Sequence, residues 1–256
     1  MSELPYLSIV VPAYNEARRL PPTLLKLAEF FGDFTRSYEV LIVVERSSDG
    51  TLEIASELAS QQAHFRVIDN RVQRGKGYAV RSGMLQARGK FVFYMDADLS
   101  VPLAEISAFL QYWDANPGID VLIGNRRHAL SRITRRQAWL RRTMGQTFNR
   151  ILHACGLAPL HDTQCGFKAF RREACREIFS RQTLDGFAFD VEVLLLAERL
   201  GCKIADLPVE WINSKESKVR IIRDGLQMLK DTLTIRKLVD AKIASEPVVR
   251  PCEERG

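Results

Sequence analysis

The chain has 256 residues, 46% of them hydrophobic and 27% charged, enough to bury a sizeable core without disulfide or metal staples. That balance excludes a disordered chain, a fibrous protein and a disulfide-dense miniprotein. The net charge of +6 is unevenly spread, because eight arginines and no lysine, aspartate or glutamate lie between Val121 and His161.

In chain order, Leu7 to Val11 reads as a buried strand and Pro21-Pro22 as a helix start carried to Gly32. Val40 to Val44 is an all-apolar second strand, and Leu52 to Ala59 a helix after the Ser48-Asp49-Gly50-Thr51 turn. Phe65 to Ile68 is a short strand, Gly75 to Arg88 a loop and helix, Lys90 to Met95 a strand, Pro102 to Ala115 a helix and Asp120 to Ile123 a strand. This alternation predicts parallel strands joined by right-handed crossovers, with helices on both faces. Beyond Gly124 the alternation breaks. The arginine segment has a helical pattern, and Phe167 to Phe170 suits a strand. Phe189 to Leu200 suits a helix, and Ile204 to Ile212 a strand interrupted by Pro208. Asn213 to Lys218 is a polar loop, and Val219 to Lys242 a long helix with Val219, Ile222, Leu226, Leu229, Leu233 and Leu238 near one face. Residues 1–240 are expected to form one domain, with halves 1–124 and 125–240, and 241–256 a flexible tail.

The longest uninterrupted apolar runs are five residues, as in Val40 to Val44, where a membrane-spanning helix needs about 20. Met1 to Pro5 shows no basic region followed by an apolar stretch, so no signal peptide is expected. Five cysteines, an odd number without CxxC spacing, point to a reducing compartment and no zinc ribbon. The arginine segment (Arg126, Arg127, Arg132, Arg135, Arg136, Arg141, Arg142, Arg150) is either a solvated helix face or the site of an anionic partner. Phosphate, a lipid surface and nucleic acid all qualify, but no nucleic-acid motif accompanies it.

In parallel sheets ligands bind beyond the carboxyl ends of the strands. Those ends carry Pro12-Ala13-Tyr14-Asn15-Glu16, Glu45-Arg46-Ser47-Ser48-Asp49 and Asp96-Ala97-Asp98, so three polar, acidic clusters converge on one edge. Two carboxylates two residues apart suit a hard divalent ion that also binds substrate phosphates, and equally suit a turn. Arg74-Gly75-Lys76-Gly77 before a helix suits phosphate at a helix N-terminus, but lacks the spacing of a P-loop or a dinucleotide fingerprint. Asp190, taken alone, suits a helix cap.

These strings occur in one order, together with Gly75-Lys76-Gly77-Tyr78-Ala79-Val80-Arg81, Asp162-Thr163-Gln164-Cys165-Gly166-Phe167-Lys168 and Phe189-Asp190-Val191-Glu192. The combination resembles the family 2 glycosyltransferases of GT-A fold, and more closely the dolichyl- or polyprenyl-phosphate glucosyltransferases and mannosyltransferases. The resemblance covers roughly residues 5 to 240. It implies an α/β, Rossmann-like, mostly parallel sheet flanked by helices, with a C-terminal amphipathic helix. It implies an inverting, metal-dependent hexose transfer, glucose before mannose, from UDP-glucose or GDP-mannose to a polyprenyl phosphate. Mg2+ or Mn2+ would sit on Asp98. Pro12, Ala13, Tyr14, Glu16, Glu45, Lys76, Asp96, Ser217 and Lys218 would bind the donor. Arg126, Arg127 and Arg136 would hold the acceptor phosphate, and Asp190 would orient the sugar or act as base. The enzyme would work in the cytoplasm, peripherally at the cytoplasmic face of a membrane. A soluble acceptor, or a basic nucleic-acid-binding role, is the alternative. One departure is Val44-Glu45-Arg46-Ser47, where the family usually shows Asp-Asp-Gly-Ser or Asn-Asp-Gly-Ser.

Overall fold

The computed structural model describes residues 4–133, 162–212 and 221–245. Five strands run in the expected alternation: β1 (Leu7–Ala13), β2 (Tyr38–Val44), β3 (Phe65–Asp69), β4 (Phe91–Met95) and β5 (Val121–Asn125). Between them stand α1 (Leu20–Gly32), α2 (Thr51–Ser60), α3 (Lys76–Gln86) and α4 (Ala104–Ala115). Then come β6 (Arg132–Ile133), β7 (Phe167–Arg171), α5 (Arg172–Arg181), α6 (Phe189–Arg199), β8 (Ile204–Pro208), β9 (Glu210–Trp211) and α7 (Ile221–Ser245). Helix α5 is absent from the sequence reading, although Ala174, Cys175, Ile178 and Phe179 form an apolar stripe at helical spacing and are buried.

The main sheet has seven strands in the order β3-β2-β1-β4-β7-β5-β8. All run parallel except β7, which pairs antiparallel with β4 on one side and β5 on the other. A strand from the second half of the chain therefore splits the run of the first half, and both halves share one sheet. Alternation within the strands feeds two cores. Ile9, Val11, Ile42 and Phe93 face α1, α2 and α4, while Val10, Val43, Val92 and Tyr94 face α3, α5, α6 and α7. Because β7 is reversed, its amino end lies at the edge where β1, β2, β4 and β5 end. The Asp162-to-Gly166 segment is thereby brought beside Asp96.

Pro208 closes β8, and the chain resumes as β9, paired with β6 in a separate two-stranded sheet. Helix α7 continues through Ser245, past the residue at which the tail was expected to begin. It lays Ile235 and Val239 against the core, with Ile243 beside them. Leu238, expected on the apolar stripe, is instead 43% exposed.

Candidate active site

The loop after β1 is laced to the loop after β2. Asn15 adopts a left-handed backbone conformation (φ 53°), which asparagine tolerates better than most residues. Its Oδ1 accepts from the Ser48 N–H at 2.8 Å, and the Glu16 N–H donates to Thr51 Oγ1 at 2.8 Å. Ala13 and Glu16 are buried, and Pro12 and Tyr14 half-buried. The Glu16 carboxylate accepts the Arg19 guanidinium at 2.6 Å.

Glu45 also has a structural task. Its carboxylate is 2% exposed, and Oε1 accepts the N–H groups of both Arg74 and Gly75 at 2.9 Å. It holds the loop before α3. Burial raises the Glu45 carboxyl above its ordinary value, and the two N–H groups offset part of that rise.

The glycines before and within the first turn of α3 also have another purpose than a phosphate cradle. A Cβ on Gly75 (φ +133°) would lie 2.5 Å from the Asp185 carbonyl oxygen, and one on Gly77 2.4 Å from that of Leu184. The Tyr78 N–H donates to Asp185 O at 3.2 Å, and the Arg74 guanidinium meets the Asp185 carboxylate at 2.6 Å. The helix start is therefore covered by the chain's own 184–186 loop. Glu192 fixes that loop, accepting the N–H groups of Thr183 and Leu184 at 2.8 Å.

Asp96 and Asp98 stand at the end of β4. The Thr23 hydroxyl donates to Ala97 O at 2.7 Å and pins the residue between them. Leu99 is left-handed (φ 50°), so the chain turns sharply after Asp98, whose Oδ1 accepts the Ser100 N–H at 3.0 Å. Asp98 Oδ2 lies 3.7 Å from Arg19 Nη1, and Asp96 Oδ1 lies 2.6 Å from Lys76 Nζ. Burial works to lower the Lys76 ammonium, but Asp96, with Asp190 and Asp98, outweighs it and holds the group above its ordinary value.

The segment from Asp162 to Lys168 is a strap tied at both ends. Asp162 accepts the Arg126 backbone N–H at 2.9 Å and two guanidinium N–H groups at 2.7 Å. Burial alone would raise the Asp162 carboxyl, but Arg126 holds it below its usual value. At the other end Lys168 is fully buried, and Nζ donates to Cys165 O at 2.6 Å and to Asp190 Oδ1. The Tyr94 hydroxyl donates to the same Asp190 oxygen. Burial and Asp190 push the Tyr94 phenol well above its ordinary value, which keeps it a donor. In the middle, a Cβ on Gly166 would lie 2.0 Å from Asp96 Oδ2, so any other residue there would have to displace the Asp96 carboxylate. Cys165 is no nucleophile, since burial, reinforced by Asp162, pushes its thiol up to about 12.

Asp190 caps no backbone group among the described residues, and one of its carboxylate oxygens takes both the Lys168 ammonium and the Tyr94 hydroxyl. It is 3% exposed, lies in the first turn of α6, and balances a buried ammonium. Lys168, Asp162, Tyr94 and Gly166 were not singled out individually in the sequence. Their signals were a lysine inside an otherwise apolar strand and the string that contains them.

Arg126, expected to hold an acceptor phosphate, is committed to Asp162 and stacks over the Trp211 ring, 4.6 Å from its centroid. Arg127 is exposed beside it. Arg136, Ser217 and Lys218 lie outside the described residues, as does most of the arginine segment. Among the described residues no group of three or more His, Cys, Asp or Glu is placed to hold a metal. Two partly exposed carboxylates in a tight turn fit an ion that takes one or two protein oxygens and completes its shell from phosphates and water.

A strand-end acidic pair, a buried strap against it and a reversed strand in a parallel sheet define a nucleotide-sugar transferase of GT-A type. The chain belongs to glycosyl transferase family 2, whose model matches residues 8–179. The dolichyl-phosphate beta-glucosyltransferase of Dictyostelium discoideum is 32% identical over 241 residues, covering 90% of this chain and 74% of that protein. Those of Saccharomyces cerevisiae and Homo sapiens are 31% and 32% identical, with the same coverage. Glucosyl-3-phosphoglycerate synthase from Mycobacterium tuberculosis, crystallised with phosphoglyceric acid, shares the fold. Its TM-score is 0.67 at 18% identity, over 91% of this chain and 80% of that one. A further crystal of that synthase contains Mn2+, UDP and phosphoglyceric acid. Among the described residues no helix is long and apolar enough to cross a membrane.

Proposed function

We propose that this protein transfers glucose from UDP-glucose to a polyprenyl phosphate of the dolichyl type, with inversion at the anomeric carbon. The observation that carries the reading is the likeness to dolichyl-phosphate beta-glucosyltransferases. It covers 90% of this chain and 74% of the Dictyostelium discoideum relative.

The acceptor phosphate is a nucleophile already ionised near neutral pH, its second pKa being about 6. An oxygen of that phosphate attacks the anomeric carbon as the bond to the diphosphate breaks, and UDP leaves with the electron pair. No strong general base is needed, which accords with Asp190 being committed to Lys168 and Tyr94. A divalent ion, Mn2+ or Mg2+, held by Asp98 would neutralise charge on the leaving diphosphate. Asp96, steadied by Lys76 and Gly166, orients the ribose end of the diphosphate. Pro12, Ala13, Tyr14 and Glu16 border the nucleotide, and Glu45 shapes that border through the Arg74–Gly75 backbone. Ser217 and Lys218 meet the diphosphate. Arg127 and Arg136 hold the acceptor phosphate, and Arg126 supports them by fixing Asp162. The protein works peripherally at the cytoplasmic face of a membrane, with its basic arginine segment toward anionic lipid.

The test is transfer from a panel of nucleotide sugars to a short-chain polyprenyl phosphate, with Mn2+, with Mg2+ and with EDTA, alongside Asp98→Ala. Metal-dependent lipid product from UDP-glucose, lost in the variant, is expected. Transfer only to a water-soluble acceptor would overturn the acceptor assignment, and turnover unaffected by EDTA the metal assignment.

A further inference from the structure

We infer that Arg19 makes uptake of the divalent ion at Asp98 conditional on nucleotide, by facing the Asp98 carboxylate until a diphosphate is present. The assignment rests on the metal-dependent transfer reading above. Arg19 stands at the N-cap of α1, and Pro21 and Pro22 in the first turn fix the direction in which the chain enters that helix. Thr23 Oγ1 lies 3.0 Å from the Arg19 carbonyl oxygen and 2.7 Å from that of Ala97, so the start of α1 is pinned to the residue between the two aspartates. The Glu16 carboxylate fixes the guanidinium through Nε, at 2.6 Å, and through Nη2. Held in this way, Nη1 stands 3.7 Å from Asp98 Oδ2, while the other carboxylate oxygen takes the Ser100 N–H. At that distance the pair is a charge contact and not a hydrogen bond, so Asp98 is neutralised without being saturated. The Arg19 and Asp98 side chains are each 19% exposed, so both are open to ions and phosphates from solvent.

Charge decides the consequence. Among the described residues, Glu16, Asp96 and Asp98 meet Arg19 and Lys76 in ion pairs, which leaves this cluster one net negative charge. A divalent cation alone would overshoot that charge, and the guanidinium beside Asp98 would repel it. A nucleotide diphosphate adds several negative charges at the same place. Arg19 then changes from a competitor of the cation into a second cation for the phosphates. Without Arg19, three carboxylates against one ammonium leave two negative charges, which a divalent cation alone would balance.

The experiment measures binding of Mn2+ without nucleotide, from the paramagnetic resonance of the free ion, and UDP affinity by calorimetry with and without Mn2+. Arg19→Gln, whose amide can still donate to Glu16, is expected to bind Mn2+ alone about 10-fold more tightly than wild type, the discounted effect of one unit charge near a protein surface. The factor by which Mn2+ improves UDP binding should then fall by about the same amount, because coupling is reciprocal. Arg19→Lys, which keeps the charge, is expected to behave as wild type, and in an Asp98→Ala background Arg19→Gln should leave Mn2+ binding unchanged. A purely structural Arg19 predicts the opposite sign, since losing a support of the Asp98 turn weakens Mn2+ binding. Binding in folded Arg19→Gln no tighter than in wild type would overturn the inference alone. So would a gain that Arg19→Lys shares, or one that persists with Asp98→Ala. A wild type that binds no Mn2+ alone, and whose UDP affinity is the same with and without Mn2+, would overturn metal-dependent transfer and this inference with it.

Discussion

Adding one methyl group at Gly166 should disable transfer while leaving the protein folded. In Gly166→Ala the new Cβ would lie 2.0 Å from Asp96 Oδ2, 2.5 Å from Cγ and 2.9 Å from Oδ1, where ordinary contact begins at 3.4 Å. Something must move by about 1.4 Å, the difference between the ordinary and the present contact. The strap is the stiffer side, because the preceding carbonyl is held by Lys168 and the following residue enters β7 between two strands. Asp96, with its side chain 31% exposed, is free to swing, and doing so breaks its 2.6 Å contact with Lys76. A misplacement of about 1 Å costs on the order of 100-fold in rate, or about 2.7 kcal/mol of transition-state stabilisation. Stability should fall as well, because the Lys76 ammonium is largely buried and loses its closest partner. The assay is kcat/KM with UDP-glucose and Mn2+, together with a thermal melt. Transfer within about threefold of wild type would refute the claim that Gly166 is required by Asp96.

Two further perturbations test the buried charges. Lys168→Met leaves the buried Asp190 carboxylate without its ammonium and should destabilise the fold by about 3–5 kcal/mol in urea denaturation. The double variant Lys168→Met with Asp190→Leu should recover much of that loss, and a single variant as stable as wild type would contradict the pairing. Glu45→Gln tests the carboxyl raised by burial. Its folded-state pKa exceeds the unfolded one, so the associated stability is full below the ordinary value of 4.5 and is lost as pH rises through the folded value. Glutamine keeps the Oε1 acceptor for both N–H groups. The variant should therefore gain on wild type as pH goes from 4 toward 7 in denaturation series, and a difference flat in pH would count against the reading.

Much of the sheet and of its acidic edge was legible because the signals are local. Apolar runs such as Val40 to Val44 and Phe91 to Met95 mark strands buried on both faces, and the acidic groups follow directly at their ends. Helix α5 was the local exception. Its apolar stripe is at helical spacing, but half of its ten residues are charged and mask it.

What stayed hidden depends on groups far apart in sequence. Glu45 reads as an acidic residue at a strand end, and only the return of the chain at Arg74 and Gly75 turns it into a backbone anchor. Gly75 and Gly77 read as a phosphate cradle until the 184–186 loop is seen to fill the space. That Asp190 also balances a buried ammonium is visible only once Lys168, twenty-two residues earlier, is found inside the core and needing an anion.

The sequence by itself determined the α/β alternation, the edge at which the acidic clusters gather and the family to which the chain belongs. Strand burial and turn chemistry are written residue by residue over a few positions. Only the tertiary structure decided which charges are spent on one another and which remain for a substrate. The antiparallel insertion of β7 carries Asp162, Gly166 and Lys168 to Arg126, Asp96 and Asp190, and pairing between buried charges is settled by that proximity.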